Sequence, residues 1–324
     1  MAQVGAIGGT FNLPQYTGKL VTADVEATPF LAMAGGLNGA KVVKNQDFPT
    51  ANEYDFTALS VPTIDETDSL SAPTVITNTT AQTLQTTQIF QEQVQLSYVR
   101  MANAGRFWAT EVSTLGYGTF DPNDANAVES ALAFQQAMAL KKVLRDYEYS
   151  MYQGVYAQAV AVTTDFQMRG LIACASSASN TVAAGGADLS KLLLDELFRT
   201  MYANGAMFAK PVIHVNAFQK QQISDIYGYA PTDWNIGGVS VEAINTDFGK
   251  MGILLTRYMD TDELLVTDMS VISPVVQEVP GKGHLFYEPL SKSGAGESGQ
   301  IFGMLSVDHG PIWAHGSITG LSTS

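Results

Sequence analysis

The feature that most limits what this chain can fold into is its segment from about residue 45 to 101. Residues 57 to 88 hold ten threonines, few large apolar side chains and the acidic cluster Asp65-Glu66-Thr67-Asp68. Thr and Val favour extended backbone, yet a stretch so poor in apolar mass cannot bury a core of its own. It closes on Gln88-Ile89-Phe90-Gln91-Glu92-Gln93-Val94-Gln95-Leu96-Ser97, where Ile89, Val94 and Leu96 partly alternate with polar residues. The segment is read as a long two-stranded excursion from the body. Because an isolated two-stranded ribbon is marginal in water, such an excursion needs a neighbouring surface.

The rest of the chain can build that body. Residues 1 to about 44 are rich in glycine and small residues around short apolar groups such as Thr28-Pro29-Phe30-Leu31, so they are expected to lie along other surfaces as an arm. The clearest helix opens at Asp121-Pro122, where Asp caps the free amides and Pro occupies the first helical position, and it stops at Gly154. Val128, Ala131, Leu132, Ala139, Val143, Leu144, Tyr147 and Met151 keep to one face, giving an amphipathic helix of about 30 residues and roughly 45 Å.

A second helix is signalled by Asp188 or Ser190 as cap, with Leu193, Leu194, Leu197, Phe198 and Met201 as its stripe and Gly205 as its end. A buried strand, Pro211-Val212-Ile213-His214-Val215, follows directly. Asn216 then caps a third helix to about Tyr227, with Phe218 and Ile223 facing inward. Strands are expected at Val239–Ile244, Met251–Thr256, Glu263–Thr267, Val271–Val279, His284–Tyr287, Ile301–Val307 and Ile312–Ile318. Helix-flanked sheet together with long antiparallel strands makes the fold class α+β.

Composition excludes several roles. Charged residues are only 15% of the chain, less than a free monomer ordinarily carries on its surface, and extensive subunit contact would explain the shortfall. The net charge is −14 and the longest basic run is the pair Lys141-Lys142, so counterion-driven binding to a phosphate backbone is not expected. The single cysteine, Cys174, rules out an intrachain disulfide and sits in an apolar setting that suits a buried small hydrophobe. No cationic leader precedes an apolar core at the N-terminus, and no stretch of 18 uninterrupted apolar residues exists, so neither secretion nor membrane spanning is expected.

The motif spellings in the chain fall short of catalytic sites. Gly294-Ala295-Gly296-Glu297-Ser298-Gly299 spells G-x-G-x-x-G, but it precedes a strand-like run with too little chain left for a βαβ unit, and it is read as a flexible loop. His214, His284, His309 and His315 lack metal-ligand spacing, and no G-x-S-x-G elbow supplies a nucleophile. The tyrosines at 147, 149, 152 and 156 have no basic groove beside them and are read as packing rather than base stacking. No enzyme activity, cofactor or metal is expected.

The order of parts resembles the major capsid proteins of tailed bacteriophages, which share the Hong Kong 97 fold. Local matches are Thr28-Pro29-Phe30-Leu31, Thr87-Gln88-Ile89-Phe90, Leu140 to Gly154 with Arg145-Asp146-Tyr147-Glu148, Arg169-Gly170-Leu171, Pro211 to Asn216, and Ala314 to Leu321. The resemblance implies an N-terminal arm over 1–44, an extended β-hairpin E-loop over 45–101 and a peripheral domain over 102–187 with a spine helix at about 122–153. An axial domain over 188–280 and C-terminal strands over 281–324 complete it.

It further implies pentamers and hexamers that form an icosahedral head around phage DNA, with each E-loop lying over a neighbour. An acidic wall suits a container that must not trap its polymer. Side chains expected at subunit contacts are Asp65, Glu66, Asp68, Phe90, Glu92, Arg100 and Arg145. Some members cross-link through an E-loop lysine, but no lysine lies between Lys44 and Lys141, so the shell is expected to be noncovalent or helped by a decoration protein. With only about 44 residues before the E-loop and a methionine at position 1, a separate scaffolding protein is expected, alongside a portal. The resemblance places the protein in the virion, assembled in the bacterial cytoplasm and without a membrane partner. An encapsulin-like nanocompartment shell is the nearest alternative, and a soluble hydrolase or carbohydrate-binding module a more distant one.

Overall fold

A computed structural model describes residues 28–54, 61, 63–73, 75, 77–99, 111–112, 118–119, 131–158, 160–161, 163–227, 232–236, 239–292 and 294–323. Residues 1–27 of the expected arm, Arg100 and the helix start at Asp121-Pro122 lie outside the described residues.

The described chain opens with helix α1 (Pro29–Met33), whose proline takes the first-turn position that needs no N–H. Phe30, Leu31 and Met33 are buried against the body, as a segment without its own core requires. Strand β1 (Lys41–Val43) follows, then β2 (Asp47–Tyr54) and β3 (Thr80–Thr86), which pair antiparallel into a two-stranded ribbon with a register irregularity between Pro49 and Ala51.

The ribbon ends at Thr86. Strand β4 (Gln88–Ser97), expected to belong to it, instead pairs with a strand 199 to 217 residues further on, from Gln88↔Leu305 to Ser97↔Gly296. The cause is β4's alternation, which buries Phe90, Val94 and Leu96 on one face. Two short strands, β5 (Glu111–Val112) and β6 (Gly118–Thr119), pair with each other.

Helix α2 (Ala131–Gln153) is the long helix of the expectation, 23 residues in its described part and about 35 Å long. Ala139, Val143, Tyr147 and Met151, four residues apart, form its buried stripe, with Leu132 and Leu144 packed beside them. It stops at Gly154 because the chain recrosses there: Gly170 N–H donates to Gly154 O at 2.7 Å, and a Cβ on Gly170 would lie 2.4 Å from Tyr152 O. Helix α3 (Leu171–Ser177) encloses Cys174, whose thiol burial pushes up to about 12, so it is an inert core residue.

Strand β7 (Thr181–Ala183) leads to helix α4 (Lys191–Ala203). Ser190 Oγ caps α4 by accepting from Leu193 N–H, and Gly205 follows with φ +100. Strand β8 (Pro211–Val215) is buried throughout, and Asn216 Oδ1 caps α5 (Ala217–Tyr227) through Gln219 N–H. Ile223 faces inward as expected, but Phe218 is only half-buried and Gln219 takes the other inward position. Its amide donates to the carbonyls of Thr261 and Ser322, which makes a polar group tolerable there.

Strands β9 (Thr232–Ile236), β10 (Val239–Thr246), β11 (Gly249–Leu255) and β12 (Leu264–Asp268) come next. After them run β13 (Ser273–Gln277), β14 (Leu285–Pro289), β15 (Gly296–Asp308) and β16 (Gly316–Thr319). Two expectations are corrected. Gly296 to Gly299 is not loop but the paired start of β15, because β4 supplies its hydrogen bonds. Of Ile312–Ile318, residues Ile312–Ala314 form a 3-10 turn, and strand begins only at Gly316.

The strands assemble into two large sheets. One has the order β7-β16-β12-β8-β11-β10-β9, the other β1-β13-β15-β14 with β4 also on β15. The first sheet is covered on both faces: Ile213, Val215, Leu264 and Val266 pack with α4 and Ile223 of α5, while Val212 and Leu265 pack with Tyr147, Met151 and Phe30. Double coverage explains why β8 and β12 are buried at every position. Strand β13, expected with the axial group over 188–280, crosses into the second sheet through β15. The architecture is mixed α+β.

Candidate functional site

Three of the four histidines are packed into structural hydrogen bonds. His214 Nδ1 lies 2.9 Å from Tyr152 Oη and its Nε2 lies 2.8 Å from Thr267 Oγ1, all of them enclosed. His315 Nε2 meets His309 O at 2.7 Å. Burial pushes both His214 and His309 down to about 3 and lowers His315 as well, so the three are neutral structural groups. Among the described residues no cluster of His, Cys, Asp or Glu is placed to hold a metal, and no helix is long and apolar enough to cross a membrane.

The surface that stands out is the ribbon. Its root is hydrogen-bonded into the body, with Gln85, Thr86, Thr87 and Ser306 fully buried. Gln85 accepts from Arg169 N–H at 2.7 Å and donates back to Arg169 O at 2.9 Å. Ser306 Oγ donates to Thr86 O at 2.7 Å, Thr87 Oγ1 donates to Gln277 Oε1 at 2.8 Å, and Gln158 reaches Asp47 at 2.7 Å. Thr50, at the irregularity in β2, lies 3.4 Å from His309 Nε2.

The far end is the opposite. Val61, Ile64, Leu70 and Val75 leave 69–87% of their surface in solvent. Exposed apolar side chains of this kind are what a contact surface presents. Asp65 Oδ1 accepts from Asp68 N–H at 2.7 Å, and Ser69 Oγ donates to Glu66 O, so Asp65, Glu66 and Asp68 sit together on one exposed turn among these apolar residues.

The other expected contact residues fall elsewhere. Phe90 is 6% exposed, its ring edge-on to Tyr147 at 5.5 Å, so it is a core residue rather than a contact. The strand's alternation turns Ile89 outward in its place. Glu92 is held within its own chain by Lys142 Nζ at 2.5 Å. Arg145 is half-buried beside the Tyr258 hydroxyl, which it hydrogen-bonds.

The buried root residues Gln85, Thr86 and Thr87 and the fully buried Glu148 were not singled out from sequence. Glu148 carried a signal, since it lies four residues after Leu144 and four before Tyr152 and so falls on the apolar flank of α2.

A ribbon rooted in a doubly covered α+β body is the setting in which the comparisons with known proteins bear on function. Residues 4–322 match the family described as SU10 major capsid protein. The chain belongs to that family. No curated protein matches it. Among solved structures it is similar to the capsid asymmetric unit of cyanophage A-1(L), with 12% identity, coverage of 97% of this chain and 98% of that one, and a TM-score of 0.60. It is also similar to the holo-SrpI encapsulin complex of Synechococcus elongatus, at 11% identity, 96% and 93% coverage and a TM-score of 0.57. The capsid of the native GTA particle matches at 13% identity, 97% of both chains and a TM-score of 0.51. At such identities the likeness is one of fold. Family membership makes this major capsid protein a structural protein of the virion, one that associates with its own kind.

Proposed function

We propose that this capsid protein builds the icosahedral head of a tailed phage as pentamers and hexamers in the Hong Kong 97 arrangement. In this reading the ribbon β2–β3 and the residues between its strands are the E-loop, α2 is the spine helix, and the seven-stranded sheet with α4 and α5 is the axial domain. Residues 1–44 are the arm. Strand β4, within the 45–101 span, serves as the root of the E-loop inside the peripheral sheet.

One observation carries the proposal: the ribbon is locked at its root yet ends in four large apolar side chains that its own fold leaves uncovered. A neighbouring subunit supplies the missing surface. With no lysine between Lys44 and Lys141, those contacts are noncovalent or reinforced by a decoration protein. A separate scaffolding protein and a portal complete the assembly in the bacterial cytoplasm. The likeness to an encapsulin leaves the fold common to both kinds of shell, and it is the family match that favours the phage head.

The test is negative-stain electron microscopy of the chain, alone and coexpressed with candidate scaffolding proteins, for the wild type and for a variant with residues 55–79 replaced by a short Gly-Ser linker. Shells or capsomers are expected from the wild type, and capsomers with weakened mutual contacts from the variant. A wild type that stays monomeric or dimeric throughout would overturn the shell reading, and normal shells from the variant would overturn the E-loop assignment.

A further inference from the structure

The C-terminal part of α2 carries a carboxylate that packing alone leaves unexplained. Glu148 is fully buried, and its two oxygens face the start of α1: Leu31 N–H donates to Oε2 at 3.1 Å and Phe30 N–H to Oε1 at 3.4 Å. The Phe30 ring fills the adjoining socket, 5.0 Å from the ring of Tyr152 and 5.2 Å from that of His214. One ionisable group therefore holds the backbone of the helix that leads back to the first 27 residues.

We propose that Glu148 is a protonation-governed latch for α1, holding the helix in its socket when neutral and loosening it when ionised. The surroundings support a group that pays heavily for its charge. Residues 28–36 of the docked segment contain no ionisable side chain. Tyr152, one turn further along α2, and Tyr258, from the segment between β11 and β12, are near enough for the Glu148 charge to raise both hydroxyls, but neither is a cation. Arg145 is engaged by Tyr258, and His214, behind Tyr152, is neutral. Burial pushes the Glu148 carboxyl up to about 7, with the amides of Leu31 and Phe30 offsetting part of the cost of its charge.

The sign follows from linkage. A carboxyl whose value is raised in the docked state favours docking while it is neutral, and that contribution disappears as pH rises from the free value near 4.5 to about 7. The ratio of docked to undocked α1 should then fall by up to about tenfold per pH unit across that window and level off above it.

The experiment is hydrogen exchange on the full-length protein from pH 5 to 8.5, corrected for intrinsic rates, comparing the amides of Phe30–Met33 with those of β12. The expected result is an opening constant that rises with pH at α1 only, with a plateau above about pH 7, and that becomes independent of pH in Glu148→Gln and Glu148→Met. A flat wild-type profile would overturn the proposal even if neither variant folds, and so would an unchanged slope in a folded variant.

Discussion

Replacing Phe90 by Ala separates a core residue from a subunit contact, and neighbouring Ile89 is the control. Phe90 is 6% exposed against the stripe of α2, whereas Ile89, on the other face of the same strand, is 42% exposed. Truncating a buried Phe removes its transfer energy and leaves a cavity, about 3–5 kcal/mol in all, of which the edge-on contact with Tyr147 accounts for roughly 1 kcal/mol. Truncating a half-exposed Ile should cost below about 1 kcal/mol. Since domains are stable by only about 5–15 kcal/mol, Phe90→Ala should lower the urea midpoint of dissociated subunits severely while Ile89→Ala barely moves it. Intrinsic fluorescence can follow the unfolding, with particle formation scored separately by microscopy. Phe90→Ala subunits that unfold at the wild-type midpoint yet fail to assemble would refute the core placement and return Phe90 to the interface.

Two further outcomes are expected. Tyr147→Phe deletes the hydroxyl that donates to Ser306 O at 2.6 Å inside the core, and a loss of about 1 kcal/mol in subunit stability should show in the same urea titration. His214 and His309 are neutral when folded, each pushed down to about 3, and take up a proton near 6.5 once unfolded. Their contribution is complete above pH 6.5 and is lost as pH falls from there toward 3, on the order of several kcal/mol in total. Urea midpoints measured between pH 7.5 and 4.5 should decline with acid, and His309→Gln should flatten the decline; a slope unchanged by that substitution would contradict the buried-neutral assignment.

Much of the framework is written locally in the chain. Ser190 and Asn216 cap α4 and α5 because a side-chain oxygen need only reach an amide three residues away, and Gly205 ends α4 because it tolerates a positive φ. The spacing of Ala139, Val143, Tyr147 and Met151 predicts the buried side of α2, and the apolar run at Pro211–Val215 predicts a buried strand. The family resemblance, too, was legible from the order of these parts. The absence of lysine between Lys44 and Lys141 excludes lysine cross-linking from that stretch on composition alone.

Other features depend on partners far away in the chain, and no local pattern names a partner. An alternating strand such as Gln88–Ser97 satisfies its backbone equally well in a projecting hairpin or in a body sheet, and only the match of Phe90 and Val94 to the buried side of β15 and α2 chooses the latter. The same choice turns Gly296–Gly299 from a loop into a strand and Phe90 from a contact into core. Glu148 has a similar history: its position on the flank of α2 is visible in the sequence, but whether that flank meets water or the amides of α1 is settled by where residues 117 and 118 positions earlier come to rest. Helical spacing, capping and composition were the sequence's to determine because they act within a few residues; strand partners, burial of a charge and the root of the ribbon belong to the tertiary structure because they arise from packing between segments that the chain brings together only on folding.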